Sequence, residues 1–207
     1  MCPEIIKSQR KSLRLSGYNY SRAGIYFITI CTHLRQSFEG SIINNKMMLS
    51  AIGKIARSFW LEIPLYHKKV QLDLFIIIPN HIHGLIKIYS TDEDVGAEHV
   101  QPRNAFQHIT KGSVGSIIRQ YKASVTRWCN QNGHNDFRWQ RNFYEHIVRN
   151  EKELNKIREY IITNPLRWKF DRNNINSENF NLELDEYYKG IYDNLQKGFN
   201  VLNPYNH

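Results

Sequence analysis

The run Ile76–Ile88, IIIPNHIHGLIKI, constrains the fold of this chain more than any other stretch. Two apolar segments flank a Pro79-Asn80 turn signal, which predicts two buried strands joined as a hairpin. His81 and His83 interrupt the second segment. Because side chains alternate between the faces of a strand, the two histidines are expected on one face and the isoleucines on the opposite, core-facing side.

Two imidazoles on one strand face, about 7 Å apart along the chain, can converge on a single metal ion. Imidazole nitrogen suits transition metals and binds Mg²⁺ less readily than oxygen ligands do. The plainer interpretation is a pair of hydrogen-bonded histidines with no metal. A metal site therefore requires a third ligand from elsewhere in the fold.

A tyrosine-bearing helix is predicted in residues 150–168, NEKELNKIREYIITNPLRW, running from Glu151 to Thr163 and closed by Pro165. Tyr160 and Asn164 are i and i+4, so they are neighbours on the helix surface. A tyrosine there is ordinarily a packing residue at the edge of the core. The functional alternative is a nucleophile that attacks phosphorus and forms a covalent phosphotyrosine, with the Asn164 carbonyl oxygen as the third metal ligand.

The remaining patterns indicate an α+β domain with an antiparallel sheet and helices packed on it. An N-cap at Ser50 opens a helix that Pro64 closes. Further strands are predicted at Gly24–Thr32, Ser41–Leu49 (with a bulge or turn at Asn44-Asn45) and Phe143–Val148, and further helices at Val114–Trp128 and Leu182–Leu195.

The charge balance favours a polyanionic partner. The formal net charge is +9, and Lys111–Arg172 carries 13 Lys and Arg against 6 Asp and Glu, with aromatic residues interleaved. Basic residues mixed with aromatic ones suit unpaired bases of nucleic acid, although many basic proteins bind none. The predicted nucleic-acid contacts are Arg10, Lys11, Arg14, Arg22, Arg119, Lys122, Arg138, Arg141 and Arg149.

The location expected for the chain is the cytoplasm. Three scattered cysteines without paired spacing indicate a reducing compartment and argue against a structural zinc site. The first 22 residues lack the apolar core of a secretory signal, and no apolar run reaches the length of a membrane span.

Three segments in this order, YFITICTH, PNHIHGLI and WQRNFYEHIVRNEKELNKIREYIITNP, closely resemble the REP-associated tyrosine transposases, which belong to the single-tyrosine HUH superfamily. The resemblance runs from about Ser12 to Arg172. It implies a ferredoxin/RRM-like antiparallel sheet with helices packed on one face. The implied domains are a basic arm (1–22), a catalytic domain (23–172) with a long loop at 90–113, and a C-terminal extension (173–207).

The same resemblance assigns roles to residues. His81 and His83 would be the HUH histidines, Tyr160 the nucleophile and Asn164 the third ligand of Mg²⁺ or Mn²⁺. The implied substrate is single-stranded DNA beside an imperfect hairpin. Cleavage would leave the tyrosine on a 5′ phosphate and a free 3′ hydroxyl group, in a monomer or a homodimer.

Several alternatives stay open from the residues alone. Tyr144 is a rival nucleophile beside the same basic segment. The chain could also be a non-catalytic DNA- or RNA-binding module on an RRM-like sheet, which would need neither histidine nor Tyr160. A metal-dependent hydrolase of small substrates would need the histidines but not the tyrosine.

Overall fold

A computed structural model describes residues 20–90, 111–171, 173–175 and 177. The predicted arm with Arg10, Lys11 and Arg14, most of the 90–113 loop and the predicted helix in the C-terminal extension lie outside these residues. Among the described helices, none is both long and apolar enough to cross a membrane. In chain order the elements are β1 (Gly24–Cys31), β2 (Gly40–Ile43), β3 (Lys46–Leu49), α1 (Ala51–Leu61), α2 (Ile63–Tyr66), β4 (Val70–Ile78), β5 (His81–Ile88), α3 (Val114–Gln131), β6 (Tyr144–Val148) and α4 (Glu151–Arg167).

Four strands form an antiparallel sheet in the order β4-β5-β1-β6. The predicted hairpin around Pro79 is β4-β5, and the two strands pair down to Ile78 and His81. The predicted strand Ser41–Leu49 is a separate hairpin, β2-β3, because Asn44 and Asn45 both adopt positive φ angles at its turn. Asparagine tolerates this left-handed conformation better than most residues.

The sheet is covered on both faces. On one face, Tyr26, Ile28 and Ile82 belong to a large apolar core with residues of α1 and α3. On the other, Phe27 and Leu85 belong to a smaller cluster with residues of α4. The antiparallel sheet with packed helices is confirmed, but the helices are divided between its two faces rather than gathered on one. Periodicity reveals the apolar stripe of a helix without saying which face of the sheet the stripe will cover.

The glycine of the PNHIHG run has a packing reason. A Cβ atom built on Gly84 would lie 2.3 Å from the indole ring of Trp60, which is fully buried on the α1/α3 face. Real Cβ atoms do not approach other atoms so closely, so only glycine lets α1 lie this near β5. Ser50 caps α1 as predicted, since its side chain accepts a hydrogen bond from the Gly53 amide at 3.1 Å.

Helix α4 differs from expectation at one end only. Asn150 caps its start by accepting a hydrogen bond from the Glu153 amide at 2.9 Å. At the other end the helix runs through Pro165 to Arg167, so the prediction that Pro165 closes it is wrong. The proline lies in the last turn, where its missing N–H removes one helical hydrogen bond and leaves most of the helix unaffected.

One carboxyl group is buried in the apolar α1/α3 core. The Glu39 side chain has no exposed surface, and neither of its carboxyl oxygens has a hydrogen-bond partner among the described residues. Burial raises the pKa of Tyr121 and of Cys129, and the nearby Glu39 carboxyl group raises both further, in the case of Cys129 after a larger effect of Asp136. Burial raises the pKa of Glu39 well above its usual value because an apolar surrounding disfavours the charged form.

Candidate active site

The two histidines of β5 point to the α4 face of the sheet and converge there. Both are buried, and their Nε2 atoms lie 2.9 Å apart. Each ring is held through its other nitrogen: Nδ1 of His81 lies 2.8 Å from Oδ1 of Asn80, and Nδ1 of His83 lies 2.8 Å from the Thr29 hydroxyl group. Partners of this kind fix the orientation of imidazoles that bind metals.

Asn80 determines which nitrogen of His81 carries the proton. Its amide nitrogen donates to the backbone carbonyls of Arg35, at 3.0 Å, and Asn173, at 2.6 Å. The amide oxygen of Asn80 therefore faces His81 and can only accept, so Nδ1 of His81 must donate. In the neutral ring Nε2 is then unprotonated and presents its lone pair to the site.

The short distance between the two Nε2 atoms has a chemical consequence. The lone pair on Nε2 of His81 faces Nε2 of His83 at 2.9 Å, so either a proton on His83 or a shared cation must lie between the two nitrogen atoms. Adjacent ligand positions of an octahedral ion bound at 2.0–2.1 Å are about 3 Å apart. The two histidines thus have the spacing of neighbouring ligands in such an octahedron.

Helix α4 brings Tyr160 over the histidines. The ring of Tyr160 is buried, and its hydroxyl group lies 2.9 Å from Nε2 of His83. Phe27 packs against both rings, parallel to His83 and edge-on to Tyr160. The tyrosine predicted from the sequence and the predicted histidine pair are therefore in direct contact, although 77 residues separate Tyr160 from His83 along the chain.

Asn164 and Asp171 complete the polar cluster from the same side. Asn164 lies one helical turn after Tyr160, and its amide nitrogen donates to Oδ2 of Asp171 at 3.1 Å. The amide oxygen of Asn164 is buried and has no hydrogen-bond partner among the described residues. Oδ2 of Asp171 also lies 3.9 Å from Nε2 of His81. A buried acceptor without a donor is costly, which a cation would relieve.

These residues fit a divalent cation. His81, His83 and Asp171 can each supply one ligand atom, with all three atoms within 4.8 Å of one another, and the three residues are buried. Carboxylate and amide oxygens suit Mg²⁺ and Mn²⁺, while imidazole suits transition metals. The Asn164 oxygen adds a further neutral donor beside this set.

The segment after α4 packs against the histidine cluster. A 3-10 turn, Trp168–Phe170, follows the helix, and the Trp168 ring stacks on His81 with centroids 6.0 Å apart. Asp171 accepts from the Asn173 amide at 2.7 Å, and the Asn173 carbonyl in turn binds Asn80. One hydrogen-bonded chain therefore links this segment to the β4-β5 turn and to His81.

The sequence patterns did not single out Asp171, Thr29 or the role of Asn80. Asp171 lies seven residues beyond Asn164, past the proline expected to end the helix, so no helical spacing relates it to the site. Thr29 is one of several β-branched residues in β1 and carries no motif. At Asn80 the sequence predicts only a turn, and the role of its amide oxygen follows from the partners of its side chain.

Within the described residues, the predicted nucleic-acid contacts fall into three groups. Arg22 precedes β1 and Arg149 follows β6, at the end of the sheet away from the histidines, about 20 Å along β1. Arg138 and Arg141 lie exposed in the connection between α3 and β6, at the histidine end. Arg119 is exposed on α3, and Lys122 is half-buried on the same helix.

Tyr144, the rival nucleophile, lies on the same face of the sheet. It pairs with Thr29 across β1 and β6 and packs at the margin of the α4 cluster. The groups that could hold a cation are the histidine pair, Asn164 and Asp171, and they surround Tyr160. Tyr144 lies on β6, which β1 separates from the histidine strand β5.

Relatives with known sequences place the chain among proteins of similar length. An uncharacterized Haemophilus influenzae protein is 42% identical over 166 residues, which cover 79% of this chain and 92% of that protein. A second protein of the same species, provisionally named a REP-associated tyrosine transposase, is 23% identical over 156 residues, which cover 72% of this chain and 74% of the relative. No protein-family model matches the chain.

The fold of the chain is also similar to that of a solved structure. The REP-associated tyrosine transposase bound to a REP hairpin superposes with a TM-score of 0.51 at 19% identity, covering 76% of this chain and 77% of that one. The chain therefore belongs to one family with the uncharacterized Haemophilus influenzae protein, and its resemblance to the REP-associated tyrosine transposases, first seen in its motifs, is confirmed in sequence and fold.

Proposed function

We propose that this protein is a transposase or site-specific endonuclease that cleaves and rejoins single-stranded DNA near hairpins through a covalent 5′-phosphotyrosine. The observation that carries the proposal is the buried Tyr160 hydroxyl group 2.9 Å from His83, inside a cluster with the donor set of a divalent-cation site. A packing tyrosine would not need three metal-ligating side chains beside its hydroxyl group.

Tyr160 is the proposed nucleophile. Its phenolic oxygen attacks the scissile phosphorus, a tyrosine–phosphate ester forms on the 5′ side, and the bond to the 3′ oxygen breaks. The phenol gives up one proton and the leaving 3′ oxygen takes up one, so the step is balanced without a nucleotide cofactor. Attack by a 3′ hydroxyl group on the ester reverses the reaction and rejoins a strand.

The proposed cation ligands are His81, His83 and Asn164, with Asp171 added by the geometry of the site. A bound Mg²⁺ or Mn²⁺ would polarise the scissile phosphate and neutralise charge that develops there. The protein's own contribution is orientation: Asn80 and Thr29 hold the imidazoles, and Asp171 turns the Asn164 oxygen away from itself.

The proposed partner is hairpin-containing single-stranded DNA. The solved relative of the same fold was bound to a REP hairpin, and the net charge of +9 favours a polyanion. Both a monomer and a homodimer are compatible with the proposal. The proposed DNA contacts are Arg10, Lys11, Arg14, Arg22, Arg119, Lys122, Arg138, Arg141 and Arg149.

The decisive experiment looks for the covalent intermediate. A labelled hairpin oligonucleotide with single-stranded flanks is incubated with the protein and Mg²⁺ or Mn²⁺ and resolved on a denaturing gel. We expect a protein–DNA band with the unaltered chain and with Tyr144→Phe, and none with Tyr160→Phe. Tyr144→Phe is the matched control because it removes a hydroxyl group from the same face of the sheet.

Other outcomes select other functions. An adduct that survives Tyr160→Phe and disappears with Tyr144→Phe reverses the assignment of the nucleophile. Binding without cleavage under either metal, unchanged by replacement of His81 or His83, would favour the non-catalytic binding module. Hydrolysis of small phosphate esters by Tyr160→Phe, dependent on the histidines, would favour the hydrolase.

A further inference from the structure

An open groove of about 600 Å³ lies between α3 and the connection that leads to β6. Helix α3 contributes Lys122 and Arg127, and the connection contributes Arg138 and Arg141. No aspartate or glutamate is among the described residues that line it. Four cations without an acid produce a positive potential in the groove, which we call the basic groove.

Two of these cations have no partner among the described residues. Arg127 and Arg141 are exposed and face the groove from opposite walls, and neither makes a hydrogen bond or an ion pair with any part of the chain that the structure describes. Arg138 differs, because its guanidinium group donates to the backbone carbonyls of Asn135 and Phe137 at 2.6 and 2.7 Å. Arg127 and Arg141 are therefore the pair available to an external anion.

The groove is held in shape by Lys122. Its ammonium group donates to the backbone carbonyls of Gln140 and Asn142 at 2.7 and 3.0 Å, which fastens the connection to α3. Burial lowers the pKa of Lys122 to about 8. The Trp139 indole N–H donates to the Lys122 carbonyl at 3.2 Å from the other direction. Lys122, which is also a predicted nucleic-acid contact, thus braces this groove.

The basic groove reaches the strand end that carries the candidate active site. The Gln140 amide donates to the Cys31 carbonyl at 2.9 Å, and the His33 amide donates to the Arg138 carbonyl at 2.8 Å. Cys31 in turn pairs with His81 across β1 and β5. The wall of the groove is therefore one strand away from the first histidine.

We propose that the basic groove binds the sugar–phosphate backbone of the single-stranded DNA segment that continues from the active site. This inference rests on the proposed function. Single-stranded DNA is favoured over the hairpin stem because the groove adjoins the end of β1 beside the candidate active site, where the cleaved strand would continue. Phosphates are favoured over bases because the aromatic ring of the groove, Trp139, is engaged in packing against Phe137 and Tyr121.

The test measures binding in a chain that cannot cleave. Tyr160→Phe is the parent, and the test variant adds Arg127→Ala and Arg141→Ala. The matched control instead adds Lys54→Ala and Lys68→Ala, two exposed cations that do not line the groove. Affinities for a hairpin with a single-stranded extension and for the same hairpin without one are measured from about 0.05 to about 0.3 M salt.

Two lost phosphate contacts on a single strand should make the slope of log affinity against log salt shallower by about 1.4 and weaken binding roughly 20-fold at about 0.1 M salt. We expect this change for the extended hairpin only, and none for the control variant beyond its general loss of charge. Equal behaviour of test and control variants would overturn the proposal. An equal loss on the blunt hairpin would also overturn it, because the stem would then occupy the groove.

Failure of this inference and failure of the proposed function can be told apart. If the unaltered chain forms no covalent adduct while the salt slope still falls with the arginine variant, the groove stands and the catalytic proposal falls. If the adduct forms and the slope does not change, the catalytic proposal stands and the groove assignment falls.

Discussion

The two faces of the central sheet are built from the same strands but follow different chemical rules. On the α1/α3 face, Ile82 and Ile86 of β5 pack into a large apolar core with Trp60. On the α4 face, His81 and His83 of the same strand form a buried polar cluster. Its polar contacts extend to β1, to α4 and to Asp171 in the segment after α4. One strand therefore supplies both stability and the candidate chemistry, with alternate residues contributing to each.

The largest expected contrast is between two neighbouring positions. Ile82→Ala should lower the free energy of unfolding by about 2–5 kcal/mol and leave cleavage by the folded fraction intact. His83→Ala should abolish the covalent adduct with the fold retained, because it removes a proposed ligand beside Tyr160. Urea unfolding and the denaturing-gel assay measure the two properties. If each variant impaired both properties equally, the division between the faces would be wrong.

A second contrast enlarges a residue on the apolar face. Gly84→Ala would place a Cβ atom 2.3 Å from the Trp60 ring, and overpacking of this kind typically costs about 1–3 kcal/mol. Trp60→Phe should remove most of the clash, so the double variant should lose less stability than the two single variants together predict. Additive losses in urea unfolding would mean that the ring and the glycine are not in contact. Adduct formation by the folded fraction should stay unchanged throughout.

A third prediction concerns a residue on the polar face that is not itself a proposed metal ligand. Asn80→Ala removes the acceptor for Nδ1 of His81 and should weaken Mn²⁺ binding about 10- to 100-fold, the usual effect of losing a residue that orients a metal ligand. Calorimetric titration with Mn²⁺ in the absence of DNA measures the affinity. Asn130→Ala, which replaces an exposed asparagine on α3, serves as the matched control. Unchanged Mn²⁺ affinity in Asn80→Ala would show that His81 is oriented by other contacts.

The smallest expected effect concerns Glu39, an acid that is fully buried on the α1/α3 face of the sheet. Because burial raises the pKa of folded Glu39 above its usual value of 4.5, the folded state keeps a proton that the unfolded state has lost. Its contribution to stability is complete below the unfolded pKa and is lost as the pH rises toward the folded pKa, by at most about 1.4 kcal/mol per pH unit. Glu39→Gln cannot titrate, so its unfolding free energy should decline less between about pH 5 and 7. Parallel pH profiles would mean that Glu39 is solvated in the folded chain.

Much of the division between an apolar and a polar face of β5 was predictable from the sequence, for a physical reason. The alternation of β5 follows from the pleat alone, so the placement of both histidines on one face needed no knowledge of the partners. The neighbouring positions of Tyr160 and Asn164 follow in the same way from the helical repeat. Local geometry of this kind is encoded in consecutive residues.

The remainder depends on tertiary contacts that no local pattern reports. The choice of α4 for the histidine face, and the return of Asp171 to the site, are decided by packing after the helix has formed. Pro165 misled the prediction because its effect depends on where in the helix it falls. Asn80 and Thr29 became recognisable only through the atoms that they contact.

The pairing of β5 on both sides has a consequence for how its coding sequence can change during evolution. The strand is fixed in register against β1 from Gly24 to Cys31 and against β4 near Ile78. Replacing a single residue of β5 changes the side chains on one face of the sheet and leaves those on the other face unchanged. Deleting one residue would turn every later side chain over, carrying isoleucine into the cation site and histidine into the apolar core. We therefore expect the strand to accept substitutions far more readily than changes in length.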